Sequence, residues 1–303
     1  MKHLKETSIE MKQTCVAFGR FESMHKGHRA VINHLVKQEK KGYSSVLLNL
    51  TNEAASEEVV YTIEEKCHML EKDGPMYFWE YPFNDSVMKM SPEAFVKEVL
   101  VGQLGAKVVV VGENHRFGHQ QEGNLATLKD LGLKYHFEVV VCETETYEEQ
   151  PITCEAIKEA IGSGQIEKAN DMLGHPYTFY GEVVHGKALG RTVGMPTANL
   201  GFPKNKLIPK HGVYATMTEI QEDEMVQGLT NIGKRPSVDD HSYVTIETFL
   251  LDFSRDIYGK RIRLEIHNYI RGVKKFNGLD EVKAQVEKDI EAIKDCLNVN
   301  ASA

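Results

Sequence analysis

GEVVHGKALGRTVGMPTANL, residues 181–200, is the stretch around which the rest of the chain makes sense. Gly181, Gly186, Gly190 and Gly194 fall within its first fourteen residues, and Pro196-Thr197-Ala198-Asn199 comes at once after them. Glycine lets the backbone approach a ligand closely and turn its N–H groups toward it, which is how a loop cradles phosphate. His185, Lys187 and Arg191 lie between the glycines and add positive charge. Pro196 fixes one φ, and an extended segment after it points Thr197 and Asn199 to the same side as two oxygen donors. Oxygen donors beside phosphates are what magnesium prefers. A glycine-rich hairpin closed by a proline turn is the other reading of these residues.

Outward from this stretch, the pattern is one of short antiparallel strands. Candidates are 179–185, 213–220, 225–230, 244–251 and 262–269. The last alternates strictly, with Ile262, Leu264 and Ile266 on one face and Arg261, Arg263, Glu265 and His267 on the other. Strands with glycine turns and few helices predict a small closed barrel. A terminal helix comes next, because Leu279, Val282, Val286, Ile290, Ile293 and Leu297 recur at steps of three and four. Glu247 is the residue that does not fit its strand, which has Ile246 and Leu250 on one side and Phe249 and Leu251 on Glu247's own. A carboxylate there needs a partner or a task. A salt bridge at the barrel rim would be the partner; taking a proton from an alcohol as general base would be the task.

The front half has a different rhythm. Cys15-Val16-Ala17-Phe18 reads as a buried strand ended by Gly19, then come Phe21, His25, Lys26, Gly27 and His28 and a helical pattern through Val36. A strand, a glycine turn and a helix opening on two histidines form a βα phosphate site. Apolar strands at 46–50, 107–111 and 137–142, with helices near 63–70 and 92–100, predict a doubly wound α/β domain. The loop Gly112-Glu113-Asn114-His115-Arg116-Phe117-Gly118 leaves the C-terminal end of a strand, where open α/β sheets bind ligands. The acidic stretch 143–149 reads as a loop, with helices near 153–161 and 165–173 after it. Gly174-His175-Pro176 marks a boundary between domains at 1–173 and 174–303.

The 303 residues suffice for two cores, and 41% hydrophobic with 26% charged residues is ordinary for a globular protein. A net charge of -8 favours neither nucleic acid nor an anionic membrane as a partner. No apolar run reaches the length of a membrane span, and the first residues carry no signal core. Five scattered cysteines without CxxC spacing argue against a disulfide framework and against zinc. These features together predict a cytoplasmic protein.

The string 181–200 resembles the phosphate loop and PTAN motif of riboflavin kinases. Gly212-Val213-Tyr214-Ala215 and Asn231-Ile232-Gly233-Lys234-Arg235-Pro236-Ser237 are similar to that family's GVYA strand and NIGxRPT loop. The front pattern GxFxxxHxGH resembles the HIGH-type nucleotidylyltransferases, and 112–118 resembles the GEDFRFG segment of the adenylyltransferase half of bacterial FAD synthetases. The resemblance, from about 16 to 297, is to two-domain bacterial riboflavin kinase/FAD synthetases. It implies a Rossmann-like nucleotidyltransferase domain, then a β-barrel kinase domain with a terminal helix. It implies riboflavin, FMN and ATP as ligands and Mg2+ as cofactor. In this reading Mg-ATP meets Gly181, His185, Gly186, Lys187, Gly190 and Arg191, with Thr197 and Asn199 toward the metal. Glu247 is the base for the ribityl hydroxyl, and Arg271 lies in a loop over flavin or nucleotide. In the front half His25 and His28 stabilise phosphate charge, with Gly19, Phe21, Asn114 and Arg116 in the nucleotide site.

Three places depart from the family pattern. Phe21-Glu22-Ser23 stands for FDG, Asn114-His115 for Asp-Phe, and Ile152-Thr153-Cys154-Glu155-Ala156-Ile157-Lys158 for ISSTRIR. A carboxylate about 4 Å from a phosphate oxygen would cost on the order of 1–4 kcal/mol. Two alternatives therefore stay open: a kinase with a silent front domain, and a flavin- or nucleotide-sensing regulator.

Overall fold

Strands covered on both faces carry unbroken apolar runs, and the front half is built on such runs. The computed structural model describes residues 1–6, 8–51, 58–186, 196–235, 243–276 and 278–300. Contacts divide the chain into two units, Met1–Cys154 and Glu155–Ala303.

In the first unit the elements are β1 (Lys2–Leu4), β2 (Thr14–Gly19), α1 (Lys26–Lys37), β3 (Ser44–Thr51), α2 (Ile63–Met69), β4 (Tyr77–Pro82) and α3 (Asp85–Met88). Then come α4 (Pro92–Phe95), which continues as a wider π-helical stretch over Val96–Gln103, β5 (Ala106–Gly112), α5 (Leu125–Tyr135) and β6 (Glu138–Cys142). Six strands form one parallel sheet in the order β1-β4-β3-β2-β5-β6. The helix starts are written in the sequence. Ser91 Oγ accepts the Ala94 N–H with Pro92 in the first turn, and Thr62 with Glu65 forms a reciprocal capping box on α2. Val16, Val46, Leu48, Trp79 and Val109 are all fully buried in one cluster. Each such side chain contributes roughly 1.5–3 kcal/mol.

Within the parallel sheet two strands are additional to those read from the sequence. β4, YFWEYP, mixes aromatics with a glutamate and a proline, and β1 is three residues long. Neither has the pattern of an isolated strand; their pairing to β3 and to each other makes them so. The acidic stretch 143–149 is also not wholly a loop. Within it β7 (Thr146–Tyr147) pairs antiparallel with β8 (Gln150–Pro151).

The second unit comprises α6 (Cys154–Ser163), α7 (Ile166–Leu173), β9 (Tyr177–Val184), β10 (Thr197–Leu200), β11 (Gly212–Gln221), β12 (Glu224–Arg235), β13 (Tyr243–Leu250), β14 (Arg261–Arg271) and α8 (Leu279–Asn300). The six strands close into an antiparallel barrel in the order β10-β13-β12-β11-β14-β9. Closure removes every free sheet edge. Opposed residues in adjacent strands share a face. One face carries Thr216, Thr230 and Thr248, fully buried and linked by hydroxyl hydrogen bonds of 2.8 Å. The other carries Val213, Ala215 and Leu229, on which Ile293 and Leu297 of α8 pack. Asn170 of α7 ties that helix to the barrel: its Nδ2 donates to Ile266 O at 2.9 Å, and its Oδ1 accepts from Tyr177 N at 2.7 Å. Among the described residues no helix is long and apolar enough to cross a membrane.

Candidate functional site

Each unit carries its own set of reactive side chains. On the barrel, β10 runs straight out of Pro196 and pairs with β13, so that Thr197 faces Phe249 and Asn199 faces Glu247. On its other side Glu247 faces Asn231 of β12. Asn199, Glu247 and Asn231 are therefore neighbours in one row on the face that α8 covers further along, and Thr197 stands two residues from Asn199 on the same face. Glu247 is 8% exposed, and Thr245 Oγ1 donates to its Oε1 at 2.9 Å. Gly186 leaves room for this row. A Cβ there would lie 2.3 Å from Asn199 Nδ2 and 2.6 Å from its Oδ1. The absence of a side chain at 186 thus seats the amide.

A hydroxyl, an amide oxygen and a carboxylate on one face are hard oxygen donors, which suit magnesium. Thr197 and Asn199 thus fit a metal held together with phosphates. A cavity of about 210 Å³ opens beside them, lined by Pro196, Thr197, Ala198, Arg255, Asp256 and Tyr258. The His185 ring stacks on Tyr258 with centroids 3.9 Å apart. Gly181 pairs with Ile262 in the barrel wall, where a Cβ would meet Gly201 O at 2.0 Å, so this glycine serves close strand packing. Lys187, Gly190 and Arg191 lie outside the described residues. Arg271 ends β14, and its guanidinium is bound to Asp289 of α8.

In the first unit a cavity of about 380 Å³ lies at the C-terminal ends of β2, β5 and β6. Gly19, Phe21, His25, His28, Asn114 and Arg116 all line it. His25 caps α1: its Nδ1 accepts the His28 N–H at 3.3 Å. Its ring stacks on His28 at 3.8 Å, and Gly27 permits this, since a Cβ there would come within 3.0 Å of the His25 ring. Burial pushes His25 down to about 4 and His28 well below the usual histidine range. Both rings are neutral at pH 7. With Nδ1 accepting, His25 carries its proton on Nε2, free to donate. His28 Nδ1 and His115 Nε2 are buried without a hydrogen-bond partner among the described residues. Burial pushes His115 down to about 4 as well, and its ring meets Phe18 edge-on at 4.5 Å. Asn114 Nδ2 donates to Thr144 Oγ1 at 3.2 Å. From the departed stretch 152–158, Ile152 and Thr153 line the cavity.

Sequence reasoning passed over Lys66. Its Nζ, fully inside the unit, donates to Arg20 O at 2.9 Å and Asn49 Oδ1 at 3.2 Å, and burial pulls it down to about 8. It braces the turn in which Phe21 and Met24 adopt left-handed backbone, with φ 43° and 50°. The run Ile63-Glu64-Glu65-Lys66 reads as a solvated helix face, so no local signal distinguishes this lysine.

The fold pair, a parallel-sheet unit with stacked histidines at a βα turn and a barrel unit with a hydroxyl–amide–carboxylate face, defines a two-domain nucleotide-dependent transferase. The riboflavin kinase family model matches residues 173–297, and the FAD synthetase model matches residues 7–156. A bifunctional riboflavin kinase/FMN adenylyltransferase of Listeria monocytogenes is 34% identical over 90% of this chain and 89% of its own. One from Haemophilus influenzae is 30% identical over 98% of this chain and 99% of its own. The solved structure of a macrolide-efflux protein from Streptococcus pneumoniae superposes with a TM-score of 0.86 at 25% identity, covering 96% of this chain and 98% of that one. The chain belongs to the bifunctional riboflavin kinase/FMN adenylyltransferase family.

Proposed function

We propose that the barrel unit makes FMN from riboflavin and ATP, and that the parallel-sheet unit joins FMN to AMP from a second ATP, both in the cytoplasm. The observation that carries the kinase reading is the row formed by Asn199, Glu247 and Asn231, with Thr197 beside it. In the kinase step Glu247 takes the proton of the ribityl 5′-hydroxyl as its oxygen attacks the γ-phosphorus; the bond to the β–γ bridging oxygen breaks and ADP leaves. Thr197 and Asn199 would hold magnesium, which neutralises phosphate charge when bound. The glycine-rich loop orients the phosphates, and the half-buried face keeps water from the acceptor.

In the second step a phosphate oxygen of FMN attacks the α-phosphorus of ATP and pyrophosphate leaves. The His25 Nε2–H donates to the phosphates, and the positive dipole end at the start of α1 adds to their attraction. The functional division of this reading falls at 1–173 and 174–303. The contact division falls earlier, since α7 packs on the barrel.

The test is a chromatographic time course with riboflavin, excess ATP and magnesium. FMN that appears and then gives way to FAD supports both steps. FMN that accumulates without FAD restricts the reading to the kinase. Failure to form either product removes support from the enzyme reading and favours a sensor.

A further inference from the structure

The edge of the parallel sheet away from β5 and β6 carries a group of side chains that neither transfer step uses. There β1 pairs with β4, with His3 beside Phe78. Glu80, two residues on from Phe78, is on the same face of β4. Its Oε1 accepts from His3 Nε2 at 2.5 Å. The other ring nitrogen, Nδ1, lies 3.6 Å from Sγ of Cys67 in α2. Phe78 meets the His3 ring edge-on, with centroids 5.5 Å apart. None of Cys67, His3 and Glu80 belongs to the cavity lined by His25 and His28.

The partners fix the tautomer. With Nε2 against a carboxylate, the neutral ring carries its proton there and leaves Nδ1 to accept the thiol S–H. A thiol, a base and a carboxylate that orients the base are thus within hydrogen-bond reach, the arrangement that activates a nucleophile. The thiol needs that help. Burial pushes Cys67 up to about 11; of the charges around the sulfur, Glu80 and Glu64 push the same way, and Lys5 and Lys66 oppose them. Cys67 is therefore protonated at pH 7, and a base must take its proton during attack. The His3 and Glu80 side chains are 27% and 21% exposed and Cys67 is partly buried, which suits a small reagent better than a polypeptide.

We infer that Cys67 is a modification site for small-molecule disulfides, activated by His3 with Glu80 behind it. The Cys67 sulfur attacks one sulfur of R–S–S–R while His3 Nδ1 takes the thiol proton. The S–S bond breaks, its electron pair leaves with the other sulfur, and that thiolate takes the proton from His3. The products are a mixed disulfide on Cys67 and one R–SH, so the thiol is oxidised and the reagent reduced. Cys15 and Cys142 are buried, and burial raises both. Cys154 and Cys296 are partly exposed and serve as internal references.

The experiment treats the full chain with hydroxyethyl disulfide, an uncharged reagent, and follows each cysteine by peptide mass mapping between pH 7 and pH 9. Cys67 should be modified first, at a rate that rises by less than about threefold over this range, because His3 rather than hydroxide removes the proton. In His3→Gln the rate at pH 7 should fall at least about tenfold. It should then climb about a hundredfold by pH 9, following the thiolate fraction of a group that titrates near 11. Trp79, whose Nε1 donates to Glu6 O at 2.8 Å, reports by its fluorescence whether the variant keeps its fold. The proposal is overturned if the parent rate itself climbs about tenfold per pH unit, if Cys154 or Cys296 is modified before Cys67, or if folded His3→Gln reacts at the parent rate. Should His3→Gln unfold, the parent profile alone decides.

Discussion

Asn199 and Glu247 stand directly opposite each other on β10 and β13, and the only atom of a residue-186 side chain small enough to coexist with that amide is hydrogen. The phosphate side and the acceptor side of the proposed kinase reaction meet in this one cross-strand pair. Small changes on either strand should therefore separate metal handling from proton transfer.

Gly186→Ala pushes a methyl group to 2.3 Å from Asn199 Nδ2 and displaces the amide. The magnesium concentration giving half-maximal FMN formation should rise about tenfold, equivalent to ~1.4 kcal/mol. A magnesium titration of the purified variant measures this; an unshifted curve would remove Asn199 from the metal site.

Glu247→Gln keeps an oxygen to accept from Thr245 Oγ1 and loses the base. The kcat for FMN formation should fall by roughly 10²–10⁴ with little change in Tm. Turnover at the parent rate would show that another group takes the proton.

His25→Asn tests the stacked histidines without removing the cap of α1, since asparagine also accepts the His28 N–H. FAD formation from FMN should drop at least about tenfold as the Nε2–H donor is lost, with FMN formation from riboflavin unchanged. His28→Ala should behave likewise. A fall in kinase activity in either variant would contradict independent sites.

The first unit should lose stability in mild acid. His25 binds its proton near pH 4 when folded and near the ordinary value of 6.5 when unfolded. Between these values the unfolded chain holds more protons, so stability rises with pH and is complete above about 6.5. At pH 5 the loss from His25 is on the order of 2 kcal/mol. His28 and His115, both lowered by burial, act in the same direction. Trp79 is the single tryptophan and is fully buried in this unit, so urea titrations monitored by its fluorescence report the change. Equal midpoints at pH 5 and pH 7.5 would mean that these rings are solvated.

Much of this architecture is local in origin and so is legible in the residues alone. Apolar runs at 46–50 and 107–111 mark central strands, Ser91-Pro92 marks a helix start, and strict alternation at 262–266 marks a barrel strand. The histidine pair at the turn after β2 and the odd glutamate at 247 are also visible, because each breaks the pattern around it. Resemblance to a family then supplies the substrates, which no periodicity contains.

Other features exist only once the chain is folded. β1 and β4 are strands because partners accept them, not because their residues alternate. Lys66 sits in a charged run that reads as solvent-facing, and its burial comes from the packing of α2 against the turn it braces. Arg271 reads as a loop cation until Asp289, eighteen residues later, takes its fork. Asn199, Glu247 and Asn231 are scattered over forty-nine residues, and nothing in their spacing aligns them. The register of β10, β13 and β12 does. Sequence determines which residues prefer strand, turn or helix, since those preferences act over a few neighbours; which side chains face one another is decided by barrel closure and strand register, which are properties of the whole folded chain.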